Sequence, residues 1–348
     1  MRHVLACAFY CVMGIVFNPS VRAGAATPLI AAADWNAYKQ KFLDPSGRIV
    51  DDGNGNISHS EGQGYGLLLA YLAENRSDFE LIWSFTRTEL LLRNDHLAVW
   101  KWDPAASPHV TDVNNAADGD ILIAYALARA GKEWGEPDLV DSATEIVKAI
   151  SANVVYQHEG RRLILPGASG FSAKDREDGP VINISYWIFE AFPVFAELDP
   201  QTGWDGIARD GLNLVALSLI GPKRLPPDWL SLKADSKPAK GFPPEFGYNA
   251  LRVPLYLLRS GVTDPGLLDP FAEMNAAGAV DITDVETGEG RQALTDPGYR
   301  IITALAACAT KGTPVPAALK SFAPTLYYPS TLHLLGLAYI AERQGGCR

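Results

Sequence analysis

The chain is poor in the residues that build metal centres and basic surfaces. Four cysteines and six histidines are spread over 348 positions, without the close, paired spacings of a zinc site. No metal is therefore expected, and no motif calls for an organic cofactor. Positive charge is scarce: 30 lysines and arginines face 40 acids, a formal net charge of −10. A nucleic-acid partner normally demands a basic face, so none is expected. There is no Gly/Ser-rich linker to divide the chain and no repeat at the fixed period of a solenoid. Hydrophobic residues make up 47% and charged residues 20%, which excludes disorder and allows one large buried core.

The only long apolar run stands at the N-terminus. Arg2 and His3 precede VLACAFYCVMGIVF, and NPSVRA follows, with Val21 and Ala23 at the outer positions of a small-residue cleavage pattern. We read residues 1–23 as a signal peptide and 24–348 as a single domain in the periplasm or outside the cell. An uncleaved anchor is the alternative; after cleavage no membrane association is expected. Cleavage removes Arg2 and Arg22 and no acid, which takes the charge from −10 to about −12. It also leaves Cys308 and Cys347 as an even pair in an oxidising compartment. A disulfide tying down the C-terminus and two separate thiols both fit that pair.

What is abundant is helical periodicity. Apolar residues recur at three- and four-residue steps in about twelve segments, from ADWNAYKQKF to VPAALKSFAP and STLHLLGLAYIAERQ. HEGRRLILPG and TDVETGEG read as short hairpins, and residues 233–244 as a loop excursion. A dozen short helices without a break suggest two concentric rings; a twisted solenoid is the rival. In a double ring, the loops before the inner helices line one cleft.

Several polar motifs stand just before helix starts. In SHSEGQGYG, Glu61 lies among Gly62, Gly64 and Gly66, which permit close approach of backbone or ligand, with Tyr65 alongside. A poorly solvated carboxyl there is expected to have a raised pKa and to serve as a proton donor; a dipole-favoured acid in a first helical turn is the plainer reading. In NNAADGDILIAYALARAG, Asp118 and Asp120 flank Gly119, as a helix cap or as the partner of Glu61 in a carboxylate pair across a glycosidic bond. In AVWKWDP, Trp100 and Trp102 alternate, so an extended chain points both the same way, as sugar platforms or as core. Tyr186 and Trp187, and Tyr327 and Tyr328, pose the same choice.

SEGQGYG before an apolar run, a tryptophan-rich segment, and ADGD opening a helix together resemble glycoside hydrolase family 8. The resemblance is nearest to the endoglucanases that accompany bacterial cellulose synthases. NISYW stands where that family reads Asn-Pro-Ser-Tyr, and PPDWLSL, FGYNALRVPLY, TDVETG and LYYPSTLHLLG have counterparts over roughly residues 33–342. The resemblance implies an all-α (α/α)6 barrel and inverting hydrolysis of β-1,4-glucan, with a functional link to a cellulose synthase complex. It implies Glu61 as general acid and Asp118 as the residue holding the sugar at the cleavage point. Trp100, Trp102, Tyr65, Tyr186, Tyr248, Arg252 and Tyr328 are the expected substrate contacts.

One position departs from the family. Its endoglucanases carry the general base in Tyr-Asp-Ala-x-Arg; here the stretch is Tyr248-Asn249-Ala250-Leu251-Arg252. Asparagine can orient a water through its amide oxygen but takes no proton from it at neutral pH. Asp118, Asp120, Asp281, Asp284 and Glu286 are candidates for a relocated base. A chitosan hydrolase of the same family, and a weakly active or non-catalytic glucan-binding protein, are the alternative functions.

Overall fold

A computed structural model of the chain describes residues 27–233, 237–274 and 278–343. The signal-peptide segment 1–23 and Cys347 lie outside the described residues. Cys308 is disulfide-bonded, and the other three cysteines all lie outside the described residues.

Eleven α-helices carry the described fold: α1 (Ala32–Phe42), α2 (Ser60–Leu72), α3 (Arg76–Phe85), α4 (Ala117–Trp134), α5 (Pro137–Asn153), α6 (Phe192–Leu198), α7 (Trp204–Ser218), α8 (Val253–Arg259), α9 (Pro265–Met274), α10 (Pro297–Lys311) and α11 (Tyr327–Glu342). Their ends follow local chemistry. The Asn75 side chain caps α3 by accepting from Asp78 N–H, Pro137 opens α5, and Gly135 and Gly312 end α4 and α10 with positive φ.

Burial separates the helices into two rings. From Gly62 to Leu72 every residue of α2 is buried, and α4 is buried continuously from Ala117 to Ala128. A helix buried all round belongs inside a large protein. By contrast α3 and α5 bury one stripe each: Phe79, Ile82 and Trp83, and Ala143, Ile146, Val147 and Ile150. The inner contacts close a circle: α2 packs on α4, α4 on α6, the 3₁₀ turn Phe189–Ala191 leading into α6 on α8, α8 on α10, α10 on α11, and α11 on α2. Outside them lie α1, α3, α5, α7 and α9. Between α10 and α11 the outer position holds only a 3₁₀ turn, Ala317–Leu319. VPAALKSFAP, expected to be helical, therefore forms one 3₁₀ turn and is otherwise irregular; Pro314, Pro316 and Pro324 lack the backbone donors a helix needs. The architecture is an (α/α)6 double ring.

Strands are short and peripheral. The segment HEGRRLILPG holds the turn and second strand of a hairpin that begins three residues earlier, β3 (Val155–His158) with β4 (Arg161–Ile164), and TDVETGEG is the turn of β9 (Val280–Asp284) with β10 (Gly290–Leu294). Ahead of them, β1 (Ser58–His59) pairs antiparallel with β2 (Lys101–Trp102). Two small sheets were not apparent from periodicity: β5 (Val181–Ile182), β6 (Leu230–Ser231) and β7 (Lys237–Pro238) form one, and β8 (Glu245–Phe246) joins β9 in the other. Part of the expected excursion at 233–244 is thus paired. Among the described residues no helix is long and apolar enough to cross a membrane.

Candidate active site

The N-terminal ends of the six inner helices meet at one end of the ring. There they surround a cavity of about 570 Å³. Glu61 comes from the first turn of α2, Asp118 from that of α4, and Tyr186 from a separate 3₁₀ turn, Ile184–Tyr186, upstream of the one that leads into α6. Asn249 and Arg252 come from the turn before α8, Tyr299 from α10, and Tyr327 and Tyr328 from α11. Helix N-termini carry partial positive charge and unpaired N–H groups, so this end of the ring favours anionic side chains.

The two innermost helices approach closely because glycine faces each contact. A Cβ on Gly64 would lie 2.5 Å from Leu122 Cβ, and one on Gly119 would lie 2.1 Å from Ser60 Oγ and 2.7 Å from Glu61 N. The glycines of SEGQGYG thus serve backbone packing: Gly64 faces α4 and Gly66 faces Ile49. At the head of α2, the His59 side chain caps the helix by accepting from Gly62 N–H at Nδ1, 2.9 Å, and its Nε2 stands 3.3 Å from Asp51 Oδ2. That bonding requires the neutral Nε2–H tautomer. Burial lowers the His59 pKa, but Asp51 and the charges of Glu61 and Asp118 outweigh it and raise it overall; a proton gained at Nδ1 would confront the Gly62 N–H.

Arg252 organises the centre. It is 1% exposed. Its Nη1 lies 2.8 Å from Glu61 Oε2 and its Nη2 2.8 Å from Asp118 Oδ2. Nη2 also donates to Ser185 Oγ at 3.0 Å and to Asn249 Oδ1 at 3.2 Å. Charge-assisted bonds of this kind fix geometry as well as energy. The expectation that Glu61 rests protonated is corrected by this arrangement. Burial does favour its neutral form, but the Arg252 guanidinium and His59 prevail, and its pKa lies below the ordinary glutamate value. Asp118 moves the other way: burial and the adjacent Glu61 charge push it up to about 7. The two carboxyls share a hydrogen bond, so their titrations are coupled: the charge of one raises the cost of ionising the other.

The remaining candidates divide. Trp100, Tyr186, Tyr248 and Tyr328 line the cavity with Asn249 and Arg252. Trp102 does not: its ring packs on Phe85 and His109, under the Arg48 guanidinium, and its Nε1 donates to Glu89. The alternation at AVWKWDP therefore separates the two indoles. Tyr65 is fully buried; its hydroxyl bonds that of Tyr256 and lies 3.5 Å from Arg252 Nη1, behind the guanidinium. Of the proposed relocated bases, Asp118 is a hydrogen bond away from Glu61, whereas inversion needs about 6.5–9.5 Å between the carboxyls. Asp120 is turned to Ala98 N at 2.7 Å and Asn115 Nδ2 at 2.8 Å. Asp281, Asp284 and Glu286 sit on the β9–β10 hairpin and its turn and do not line the cavity.

Residues not anticipated also enter the site. His59, Asp51 and Tyr299 line the cavity, Ser185 braces Arg252, and Asp228 stands behind Asn249. His59 had a local signal, since it immediately precedes the Ser-Glu helix start; Ser185 and Asp228 lie within NISYW and PPDWLSL, but only the folded chain shows what they touch.

Comparison with known proteins agrees with this geometry. The sequence profile of "Glycosyl hydrolases family 8" matches residues 5–342. A probable endoglucanase of Novacetimonas hansenii is 37% identical over 325 residues, covering 91% of this chain and 92% of its own. Among solved structures, the endo-β-1,4-glucanase CMCax of Acetobacter xylinum superposes with a TM-score of 0.80 at 34% identity, covering 91% of this chain and 99% of that one. The family 8 endoglucanase Cel10 of Klebsiella pneumoniae gives 0.80 at 33% identity, over 89% of this chain and 99% of that one. With the profile spanning nearly its whole length and these relatives covered almost end to end, the chain belongs to glycosyl hydrolases family 8.

Proposed function

We propose that the protein is an exported endo-β-1,4-glucanase that cleaves cellulose or soluble β-glucan with inversion. The observation that carries this reading is the buried carboxyl pair Glu61–Asp118 clamped by Arg252 at the head of an open, tyrosine-lined cavity. The aromatic faces of Trp100 and Tyr186, which line the cavity, suit the apolar faces of pyranose rings. When a glycosidic oxygen reaches Glu61, the shared proton passes through Glu61 to that oxygen. Asp118, relieved of its proton, accepts a sugar hydroxyl and holds the ring at the cleavage point. Water attacks the anomeric carbon from the opposite face, oriented by the Asn249 amide oxygen.

Glu61→Gln removes the proton donor while keeping the hydrogen-bonding shape. New reducing ends from carboxymethyl cellulose should fall at least about 10²–10⁴-fold, with cello-oligosaccharide binding and the melting curve kept. Wild-type turnover in this variant would refute the assignment of the acid. Chitosan in the same assay separates the glucanase from a chitosanase, which the acidic cavity residues Asp51, Glu61 and Asp118 would also tolerate. The functional link to a cellulose synthase complex rests on the resemblance alone, and a change in cellulose output on deletion of the protein would support it.

A further inference from the structure

We infer that Asp228 supplies the missing basicity of the site through Asn249, so that the carboxylate has been set one residue back, behind an amide that relays the proton. The inference deepens the glucanase reading and rests on it.

Its basis is the wiring of the Asn249 side chain. Arg252 Nη2 donates to Asn249 Oδ1 at 3.2 Å, and Asn249 Nδ2 faces Asp228 Oδ2 at 3.3 Å. A guanidinium only donates and a carboxylate only accepts, so the amide can stand only this way round. Its oxygen keeps a second lone pair for a water in the cavity that Asn249 lines. Asp228 is held for the purpose. Its Oδ1 accepts from Gly247 N at 2.9 Å and Ala250 N at 2.8 Å, and its Oδ2 from Asn249 N at 3.4 Å. Gly247 makes the room, since a Cβ there would lie 2.7 Å from Asp228 Oδ2. Among the described residues Asp228 forms no ion pair. The titratable groups that face it are Tyr186 and, through Asn249, Arg252. Burial, outweighing the four N–H bonds, raises its pKa, which suits a proton acceptor.

The step balances. As the water oxygen bonds to the anomeric carbon, one water proton moves to Asn249 Oδ1 and one Nδ2 proton moves to Asp228 Oδ2. Glu61 gives its proton to the departing glycosidic oxygen, whose bond to the anomeric carbon breaks. Asn249 is left as the imidic acid and Asp228 as the neutral acid. Return of the amide tautomer and exchange of one proton with solvent at each carboxyl restore the start, with one water consumed.

The test is steady-state hydrolysis of a cello-oligosaccharide across pH by the wild type, Asp228→Asn, Asn249→Ala, their double variant and Asn249→Asp. Asp228→Asn keeps the acceptor for Gly247 and Ala250 but cannot take a proton. We expect kcat to drop about 10²-fold or more at unchanged KM, and the low-pH limb of the wild-type profile to vanish. The double variant should be no slower than Asn249→Ala, because one relay has been cut twice. A wild-type kcat in Asp228→Asn overturns the inference. So does a loss that leaves the low-pH limb in place, which marks a merely structural role. A wild type that hydrolyses the cello-oligosaccharide with Asp228→Asn equally fast refutes the relay while the glucanase reading stands; a wild type that is inert, whether or not Asn249→Asp is active, overturns the glucanase reading itself.

Discussion

Arg252 pairs with both carboxyls of the site, Glu61 through Nη1 and Asp118 through Nη2, each at 2.8 Å. In the proposed mechanism the leaving oxygen receives a proton held between Glu61 and Asp118, so hydrolysis should decline as pH rises through about 7, the value to which burial and the Glu61 charge push Asp118. Asp118→Asn removes the like charge but leaves Arg252 and His59 beside Glu61. Glu61 then gains its proton only at lower pH, and the high-pH limb should move toward acid, with activity at neutral pH reduced; pH–rate profiles of the two proteins check this. The two tryptophans of AVWKWDP make a second contrast. Trp100→Ala should raise KM for glucan with little change in stability, since Trp100 lines the cavity. Trp102→Ala should leave KM alone and cost about 1–3 kcal/mol in urea unfolding, as its ring is packed and partly buried. Sequence alone could not separate them, because alternation predicts a common side only for a regular strand, and β2 is two residues long. For the same reason the protonation of Glu61 was misread: its neighbours in sequence are apolar, but its partner in space is an arginine 191 positions away.

At the scale of the element, the site depends on how closely α2 and α4 can lie. Gly119→Ala would place a methyl group 2.1 Å from Ser60 Oγ and 2.7 Å from the Glu61 backbone nitrogen. Overpacking of this kind costs about 1–3 kcal/mol, and here the displaced backbone carries the acid. The variant should therefore lose stability in urea unfolding and activity in reducing-end assays together. Helices were the legible part of the sequence because buried and half-buried helices write their period into the apolar pattern. The exceptions have physical causes. VPAALKSFAP keeps the period but its prolines cannot support a helix. The two-residue pairings within β5–β6–β7 and between β8 and β9 are too short to alternate, and only the chain fold brings them together.

In the molecule as a whole, a ring of parallel inner helices gathers six N-terminal turns around one cavity, and this explains why polar motifs scattered from residue 61 to residue 328 act together. The ring was readable from the number of helices and from the resemblance of SEGQGYG and ADGD to a known family. The replacement at Asn249 was readable as well, but its consequence was not. Asp228 lies 21 residues earlier, in a loop that returns to Asn249 only in the folded chain.

The most direct measurement is the anomeric configuration of the first product, followed by proton NMR while the wild-type protein cleaves a cello-oligosaccharide. A water delivered from the Asn249 side, opposite Glu61, inverts the β-linkage, so the α-anomer should accumulate first and give way to the β-anomer by mutarotation. Initial release of the β-anomer would contradict the account, because it would require a nucleophile on the enzyme where the proposed mechanism uses a water oriented by an amide.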